Sequence, residues 1–255
     1  MIDISAHGLA PGELLRRRLG GSPTGSNLDP DDLGAFGPSL RFAAGDEILP
    51  CGSDEGPLLL IAGTAGETRT LDARRRQILR LRLPGDLIYA CERDAVRALG
   101  RVAVTDAKPF LKRLGDPEAP HQLRRAWLEM GKLDQDLARD HVVRLGRMSS
   151  VERVAHFLLE THARLGAIGL VEGDVFQLPT TQEALSDLLG LSGVHLSRTL
   201  QALRRDDLAS LKGGRVTLLD RDRLAALCGW QAPTGGARAL RSPVRPRAAS
   251  TSAAA

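Results

Sequence analysis

One stretch near the C-terminal end of the sequence constrains the fold more strongly than any other. Residues 180–220 read TTQEALSDLLGLSGVHLSRTLQALRRDDLASLKGGRVTLLD. Thr180 and Glu183 have the spacing of a capping box, which predicts the first turn of a short helix. Gly190 can adopt the left-handed conformation that ends this helix, and Ser192 can cap a second one. Two short helices joined by a glycine-containing turn form a helix-turn-helix.

The second of these helices has an apolar side and a polar side. Leu200 and Leu203, with either Val194 or Leu196, predict the side that faces the core. The outward side carries polar residues that can reach base edges or phosphates in a major groove: His195, Ser197, Arg198 and Gln201. We expect Arg198 to be the principal base reader, because its planar guanidinium matches two acceptors of guanine.

The segment after the second helix predicts a hairpin, which we call the wing. Two apolar runs flank Gly213 and Gly214, a dipeptide suited to a tight turn. Lys212 and Arg215 would lie at the tip of the wing, where phosphate contacts are expected. Helix-turn-helix folds also occur in enzymes and in protein-binding modules. The order of cap, glycine turn, polar face and basic hairpin favours DNA binding.

The composition permits a polyanionic partner but does not establish one. The chain has 255 residues, a formal net charge of +4 and a pI near 9.3, and arginines scattered over the whole surface would give the same sum. No apolar run approaches the roughly eighteen residues of a membrane span. The N-terminal segment places its charges after its apolar part, the reverse of a signal peptide. We therefore expect a cytoplasmic protein without a membrane partner.

Changes in composition divide the chain into five segments. Residues 1–39 are rich in Gly, Pro and Ser, and we expect a flexible arm with one short helix at PGELLRRRLG. Residues 40–119 contain short apolar runs broken by Gly and Pro, which predict a small antiparallel barrel or sandwich. A long helix over residues 120–146 precedes residues 147–229, which contain the helix-turn-helix. Residues 230–255 predict a basic disordered tail.

The long helix predicted over residues 120–146 carries an apolar stripe. Its members recur at roughly helical spacing and are Leu123, Trp127, Met130, Leu137 and Leu145. The first four are the expected dimer contacts. A stripe of this length has more apolar positions than the flank of a small barrel usually covers. We therefore expect the helix to pair with its twin in a homodimer, the alternative being that it packs on its own domain. Ser149 or Ser150 is expected to cap the next helix.

The three cysteines do not predict a metal site. Cys51, Cys91 and Cys228 lie far apart in sequence and form neither a C-x-x-C pair nor a cluster. We expect three buried thiols and no cofactor, and a redox role for Cys51 or Cys91 stays an open alternative. The sequence also has no nucleophile, phosphate-loop or metalloprotease motif in a suitable context, so we do not expect an enzyme.

Residues 180–227 resemble the winged helix of Crp/Fnr-type bacterial transcription regulators. Upstream, MSSVERVAHFLLE is similar to the helix that opens that domain, and RFAAGDEIL and RRRQILRLRLPGDLI resemble pieces of the family's cyclic-nucleotide-binding-like β-roll. The resemblance covers roughly residues 40–228. It implies an α+β protein with an N-terminal antiparallel β-roll, a long dimerisation helix and a C-terminal winged helix-turn-helix.

The same resemblance implies a transcription regulator that binds a palindromic operator in double-stranded DNA as a homodimer and works with RNA polymerase. The family's phosphate-contacting positions fall on Thr180, Gln182 and Glu183, and Thr181 occupies the variable position of that motif. The family's base-reading positions fall on Gly193, Val194, Ser197 and Arg198. Val194 replaces a glutamate that many members use to read a base, and it can make only an apolar contact. The rival interpretation is a regulatory or scaffolding subunit that docks other proteins.

The predicted β-roll departs from the members that bind cyclic nucleotides. Those members have a Gly-Glu pair for the ribose and an Arg-Ser/Thr-Ala motif for the cyclic phosphate. Here Tyr89 and Ala90 replace Gly-Glu. The nearest match to the Arg-Ser/Thr-Ala motif is Arg93, Asp94 and Ala95, which lies several residues before the position of that motif in the family. The Asp94 carboxylate would oppose a phosphate. We therefore expect no response to cyclic AMP, and the cysteine cluster of the iron-sulfur members is missing from the sequence.

Overall fold

The fold is that of a computed structural model of the chain, which describes residues 9–20, 28–29, 33, 36–72 and 75–231. Most of the predicted arm and all but the first two residues of the predicted tail lie outside this part. Within it, a β-roll and a C-terminal winged helix are connected by one long helix. No helix in the described ranges is long and apolar enough to cross a membrane.

In the part of the chain that the structure describes, eight short strands form the β-roll. They are β1 (Leu40–Phe42), β2 (Glu47–Leu49), β3 (Leu58–Ala62), β4 (Ala65–Asp72), β5 (Arg75–Arg82), β6 (Leu87–Ile88), β7 (Ala95–Ala98) and β8 (Val102–Asp106). One antiparallel sheet has the order β1-β8-β3-β6, and the other has the order β2-β7-β4-β5. Ile48, Leu60 and Val104 are among the buried side chains of its core. The predicted antiparallel β-roll is confirmed.

Helix α1 (Pro11–Leu19) lies in the segment for which we expected a flexible arm. Its Leu15 and Leu19 are at most 1 % exposed and share an apolar cluster with the β-roll and the long helix. Leu14 contributes to the core that extends into the winged helix. The expectation of a loosely packed arm is therefore wrong for α1, because burial of its leucines offsets the entropy lost on ordering it.

Helices α2 (Lys108–Gly115) and α3 (His121–Arg147) follow the β-roll. α3 agrees with the long helix predicted over residues 120–146. One of its faces packs on the same chain, since Leu123 is 0 % and Met130 is 6 % exposed.

The four residues predicted to form the dimer interface thus lie on the face of α3 that its own chain covers. Leu123, Met130 and the partly buried Trp127 belong to the cluster around α1, and Leu137 is half-buried. The Trp127 ring meets the Phe110 ring edge-on, with 5.6 Å between centroids. The periodic pattern was correct, but α1 and α2 cover the part of the stripe around Leu123, Trp127 and Met130, and neither helix was expected beside it.

The opposite face of α3 is exposed and partly apolar. Leu128 is 65 %, Val142 is 70 % and Val143 is 50 % exposed. Gly131 lies on this face, and apart from its own helix no atom of the described residues lies within 4 Å of the place where a Cβ would stand. We call Leu128, Gly131, Gln135, Ala138 and Val142 the outer stripe, because their alternating spacing of three and four residues places them on one side of a helix.

The winged helix consists of four helices and a small antiparallel sheet. The helices are α4 (Ser150–Ala167), α5 (Gln182–Leu189), α6 (Gly193–Arg205) and α7 (Arg221–Cys228). The strands are β9 (Val171–Glu172), β10 (Val175–Gln177), β11 (Ala209–Lys212) and β12 (Arg215–Leu218), in the order β11-β12-β10-β9. The structure thereby confirms the predicted fold class.

Of the two serines proposed to cap α4, Ser149 is the cap. Its hydroxyl accepts a hydrogen bond from the backbone N–H of Glu152 at 3.4 Å, and its own N–H donates to the Glu152 carboxylate at 2.7 Å. At the other end of the domain, Trp230 packs edge-on against His156 with 4.8 Å between ring centroids. The domain therefore includes Trp230, although the composition predicts that the tail begins there.

Asp86 joins α1, the β-roll and α4 through buried ion pairs. Its side chain is 2 % exposed and accepts hydrogen bonds from Arg18 Nε at 2.8 Å and Arg164 Nη2 at 2.5 Å. Burial alone would raise the pKa of Asp86, but the nearby Arg164 and Arg18 outweigh burial and hold this pKa well below its usual range. Asp86 therefore remains ionised.

A second buried polar group lies between α3 and α4. Arg144, whose side chain is 2 % exposed, pairs with Glu160 and donates to His156 Nδ1 at 3.1 Å. Burial and the positive charge of Arg144 lower the pKa of His156 to about 4. The imidazole is therefore neutral near pH 7 and can accept the hydrogen bond.

Candidate nucleic-acid interface

Helix α5 is capped by Thr181, one residue later than the sequence pattern predicted. The Thr181 hydroxyl accepts a hydrogen bond from the N–H of Ala184 at 3.1 Å. The Thr180 hydroxyl is buried and has no hydrogen-bond partner among the described residues. Glu183 pairs at 2.8 Å with Arg76 of the β-roll. The predicted Thr180–Glu183 capping box is therefore wrong. Either threonine could cap a helix that begins here, and the Glu183 carboxylate pairs with Arg76 of the β-roll instead of a backbone N–H at the helix start.

The turn between α5 and α6 agrees with the prediction. Gly190 has φ 61° and ψ 40°, the left-handed conformation that glycine adopts without a steric penalty. Its N–H donates to the carbonyl oxygen of Ser186. The Ser192 hydroxyl then accepts from the N–H of His195 at 3.3 Å and caps α6. Local chemistry thus sets the point at which the chain leaves α5 and enters α6.

The inner side of α6 fastens it to the domain. Leu196 and Leu203 are at most 1 % exposed and share an apolar cluster with residues of α4 and α5. Thr199 is also buried, and its hydroxyl donates to the carbonyl oxygen of His195 at 2.9 Å. Val194 is 64 % exposed, so Leu196 begins the core face. This packing holds the outer side of α6 in a defined orientation.

The outer side of α6 presents the residues that the sequence predicted. Exposed or partly exposed there are Gly193, Val194, His195, Ser197, Arg198 and Gln201. Gln201 Nε2 donates to the Ser197 hydroxyl at 3.5 Å. Arg198 follows Val194 by four residues, so the two side chains lie one above the other on the same face.

The wing is a tight hairpin with a basic tip. Gly213 and Gly214 have φ values of 58° and 79°, as a two-residue turn of type I′ requires. Lys212 pairs with Arg215 directly across the strands, and both side chains are exposed. The hairpin therefore places two positive charges at one end of the domain.

The positive charges of this surface are available to a partner. Within the described ranges, no carboxylate lies within 4.0 Å of the charged nitrogens of Arg198, Lys212 or Arg215 in an ion pair, whereas Arg205 pairs with Asp206 at 3.2 Å. Thr181 and Gln182 are exposed at the start of α5. Unpaired cations beside exposed helix starts are suited to bind phosphate oxygens.

The β-roll contacts the helix-turn-helix directly, which the sequence did not reveal. Arg76 Nε donates to Asp187 of α5 at 2.5 Å, across 111 positions of sequence. Gln77 Nε2 donates to the carbonyl oxygen of Asp187 at 2.6 Å. The Thr64 hydroxyl donates to the carbonyl oxygen of Pro179 at 2.7 Å. Contacts between such distant positions leave no local pattern by which they could have been predicted.

Two expectations for the β-roll need correction. Asp94 accepts hydrogen bonds from Arg69 at 2.7 and 3.0 Å. The positive charge of Arg69 compensates the Asp94 carboxylate, which therefore repels a phosphate less than we expected. Cys51 and Cys91 are exposed, and only Cys228 is buried. Both thiols lie in loops at the end of short strands, where the core does not cover them.

Comparison with known proteins identifies related regulators. The family model of the Crp-like helix-turn-helix domain matches residues 152–227. The chain is 33 % identical over 214 residues to the nitrogen fixation regulation protein FixK of Bradyrhizobium diazoefficiens, an alignment of 79 % of this chain and 88 % of FixK. It is 34 % identical over 170 residues to the transcriptional activator protein FnrL of Cereibacter sphaeroides, covering 63 % and 67 % of the two chains. The structure of FixK2 from Bradyrhizobium japonicum matches with a TM-score of 0.62 at 26 % identity, covering 76 % of this chain and 97 % of FixK2.

Proposed function

Since the chain belongs to the Crp/Fnr family of DNA-binding transcription regulators, we propose that two protomers bind a palindromic operator in double-stranded DNA through α6 and the wing. The family is one of transcription factors and not of enzymes. A regulator of this kind acts on the bacterial chromosome, so we place the protein in the cytoplasm. We also propose that the DNA-bound dimer contacts RNA polymerase.

The basic outer side of α6 carries this proposal. An α-helix fits the major groove, and a rigid inner side is needed to aim its outer residues at base edges. Leu196 and Leu203 supply that attachment, while Arg198 is exposed and unpaired among the described residues. The wing adds Lys212 and Arg215 where the neighbouring phosphates would lie.

The proposed contacts divide into two groups. Base edges are read by Val194, His195, Ser197, Arg198 and Gln201, and the DNA backbone is contacted by Thr181, Gln182, Gly193, Lys212 and Arg215. Val194 suits the methyl group of thymine. Thr180 was expected to contact phosphate, but its buried hydroxyl leaves this role to Thr181 and Gln182.

We expect Arg198→Ala to weaken operator binding by roughly five- to more than a hundredfold, the loss of a bidentate guanine contact worth about 1–3 kcal/mol. It should also relax the preference at one base pair in each half-site. The operator is first located by mapping the genomic sites bound by tagged protein. Affinities for that operator and its single-base variants are then measured by fluorescence anisotropy.

Lys212→Ala is the matched control for this measurement. It removes a cation from the wing, so it should weaken binding to all sequences alike. It should also reduce the slope of log affinity against log salt concentration by about one, the loss of one phosphate contact. If Arg198→Ala behaves in the same way and keeps the sequence preference intact, Arg198 binds phosphate. His195 or Ser197 would then be the base reader.

The scaffolding alternative is not favoured by the related regulators. It remains distinguishable by salt dependence, because DNA binding releases counterions and protein docking on an apolar surface does not. We expect the affinity for the operator to fall steeply and linearly on a logarithmic scale of salt concentration.

We also propose that the β-roll does not respond to cyclic AMP. Tyr89 and Ala90 stand where a ribose-binding pair is expected, and α1 covers the side of the β-roll that faces α3 with Leu15 and Leu19. Calorimetry should therefore detect no binding of cyclic AMP in the micromolar range. Binding in that range, with a shift in operator affinity, would refute this part of the proposal.

A further inference from the structure

Cys51 and Cys91 are two free, exposed thiols in neighbouring loops of the β-roll. Cys51 follows β2, and Cys91 lies between β6 and β7. The loops are joined by a backbone hydrogen bond from Gly52 N–H to the carbonyl oxygen of Cys91 at 2.9 Å. The Cys51 thiol donates to the carbonyl oxygen of Glu92 at 2.7 Å, so it already lies against the segment that carries Cys91.

These contacts limit the distance between the two cysteine backbones. The Cα of Cys51 lies about 2.4 Å from the Gly52 nitrogen, and the Cα of Cys91 lies about 2.4 Å from its own carbonyl oxygen. With the 2.9 Å hydrogen bond between them, the two Cα atoms are at most about 7.7 Å apart. Because the path bends at the nitrogen, a well-aligned N–H···O bond shortens this limit to about 6 Å. Disulfides join cysteines whose Cα atoms are about 4.4–6.8 Å apart. A well-aligned hydrogen bond between the two loops therefore holds Cys51 and Cys91 within the distance that a disulfide requires.

The side chains need only rotate to meet. The Cys51 thiol is held by Glu92, and the Cys91 thiol lies 3.5 Å from a carboxylate oxygen of Asp94. Among the described residues, each thiol makes one hydrogen bond, and exposure leaves room for a change of rotamer. Cys228 differs from both, because it is buried and its thiol donates to the carbonyl oxygen of Leu224 at 3.1 Å.

We propose that Cys51 and Cys91 are a peroxide-reactive pair that forms a reversible disulfide within one chain. The thiolate of one cysteine attacks an oxygen of hydrogen peroxide, the O–O bond breaks, and the departing hydroxide takes up a proton to become water. The other thiol loses its proton, and its thiolate attacks the sulfur of the resulting sulfenic acid. The S–S bond forms, the S–O bond breaks, and the departing hydroxide takes up that proton to become a second water. Two thiols are oxidised and one peroxide is reduced to two waters.

The experiment treats the reduced full-length protein with an equivalent of hydrogen peroxide under native conditions. Free thiols are then counted, and the intact mass is measured. We expect the thiol count to fall from three to one, with a mass loss of two hydrogens. A tryptic digest made without reductant should contain the peptides 42–69 and 83–93 as one linked species, and dithiothreitol should separate them.

Single serine variants provide the controls. Cys228→Ser should form the same link, because Cys228 has no part in it. Cys51→Ser and Cys91→Ser should lose no hydrogens, and the remaining cysteine of the pair should accumulate a sulfenic acid that dimedone traps. The proposal is overturned if the wild-type chain keeps all three thiols, gains only oxygen, or links to Cys228 or to a second chain. The measurement uses no DNA, so its failure would leave the proposed operator binding untouched.

Discussion

Thr180 and Thr181 are adjacent in sequence, but their hydroxyls have opposite surroundings. The Thr181 hydroxyl satisfies the N–H of Ala184 at the start of α5. The Thr180 hydroxyl is buried and, within the described part of the chain, unpaired. A lost helix cap destabilises, whereas a buried polar group without a partner is itself unfavourable. The two positions should therefore respond in opposite ways to loss of the hydroxyl.

We expect Thr181→Ala to lower the free energy of unfolding by about 1 kcal/mol, the usual effect of removing an N-cap. Thr180→Val, which replaces the unpaired hydroxyl by a methyl group of similar size, should leave this free energy unchanged or raise it. Urea unfolding followed by circular dichroism measures both. If Thr180→Val lowered the free energy of unfolding and Thr181→Ala did not, Thr180 would be the cap.

At the scale of elements, α3 illustrates how an apolar stripe can be assigned to the wrong partner. Met130 is buried in the same chain, while Val142 on the outer stripe is 70 % exposed. Exposed apolar residues along one side of a long helix, with Gly131 allowing close approach, are typical of a helix–helix interface. We therefore propose that the homodimer forms through the outer stripe.

Val142→Asp should give folded monomers, because it introduces unpaired charge into the proposed interface without disturbing the core of the chain. Met130→Asp should instead destabilise the β-roll and α3, since its charge would be buried within one chain. Gln122→Asp is the matched control, as it adds the same charge at an exposed position of α3 away from the outer stripe. Sedimentation velocity and circular dichroism distinguish these results.

The interface would lie elsewhere if Val142→Asp still sedimented as a dimer. A folded monomer should also lose most of its affinity for the operator, because each half-site is then bound by a single protomer. The operator affinity of Val142→Asp, measured by fluorescence anisotropy, therefore tests whether α3 couples dimerisation to DNA binding.

At the scale of the whole molecule, the β-roll and the winged helix are joined by polar contacts as well as apolar ones. Asp86 forms ion pairs with Arg18 of α1 and Arg164 of α4, and all three side chains are at most 10 % exposed. Buried charges stabilise a structure only while each is compensated by a partner. Loss of Asp86 would leave two buried guanidinium groups without their shared carboxylate.

Asp86→Asn should lower the free energy of unfolding by about 3–5 kcal/mol, as expected when one partner of a buried ion pair is removed. The control Asp136→Asn breaks an exposed pair with Arg139 and should change this free energy by at most about 1 kcal/mol. Urea unfolding provides the measurement. Equal effects of the two variants would show that Asp86 makes no special contribution.

The ionisation of Asp86 should also make the free energy of unfolding depend on pH. Because the pKa of Asp86 is lower in the folded state than in the unfolded state, its stabilising contribution is present above the unfolded pKa of about 3.9. It is lost as the pH falls below that value. Wild-type stability should therefore decline more steeply toward acid pH than that of Asp86→Asn, whereas Asp136→Asn should follow the wild type.

The sequence by itself determined the features that depend on a few neighbouring residues. Gly190 must end α5, Ser192 caps α6, and Gly213 with Gly214 closes the wing, because backbone conformation and capping are decided within a single turn. The outer side of α6 followed from helical spacing in the same way. These local rules also carried the resemblance to the family, so fold class and DNA binding were predictable.

Tertiary structure alone decided what each surface meets. Spacing showed that Met130 lies on an apolar stripe, but only the packing of α1 showed that the chain covers this stripe itself. The pairing of Arg76 with Asp187 and the closeness of Cys51 and Cys91 likewise join residues far apart in sequence. A repeating pattern shows which side of an element is apolar. The identity of its partner depends on long-range packing, which brings together segments that share no local pattern.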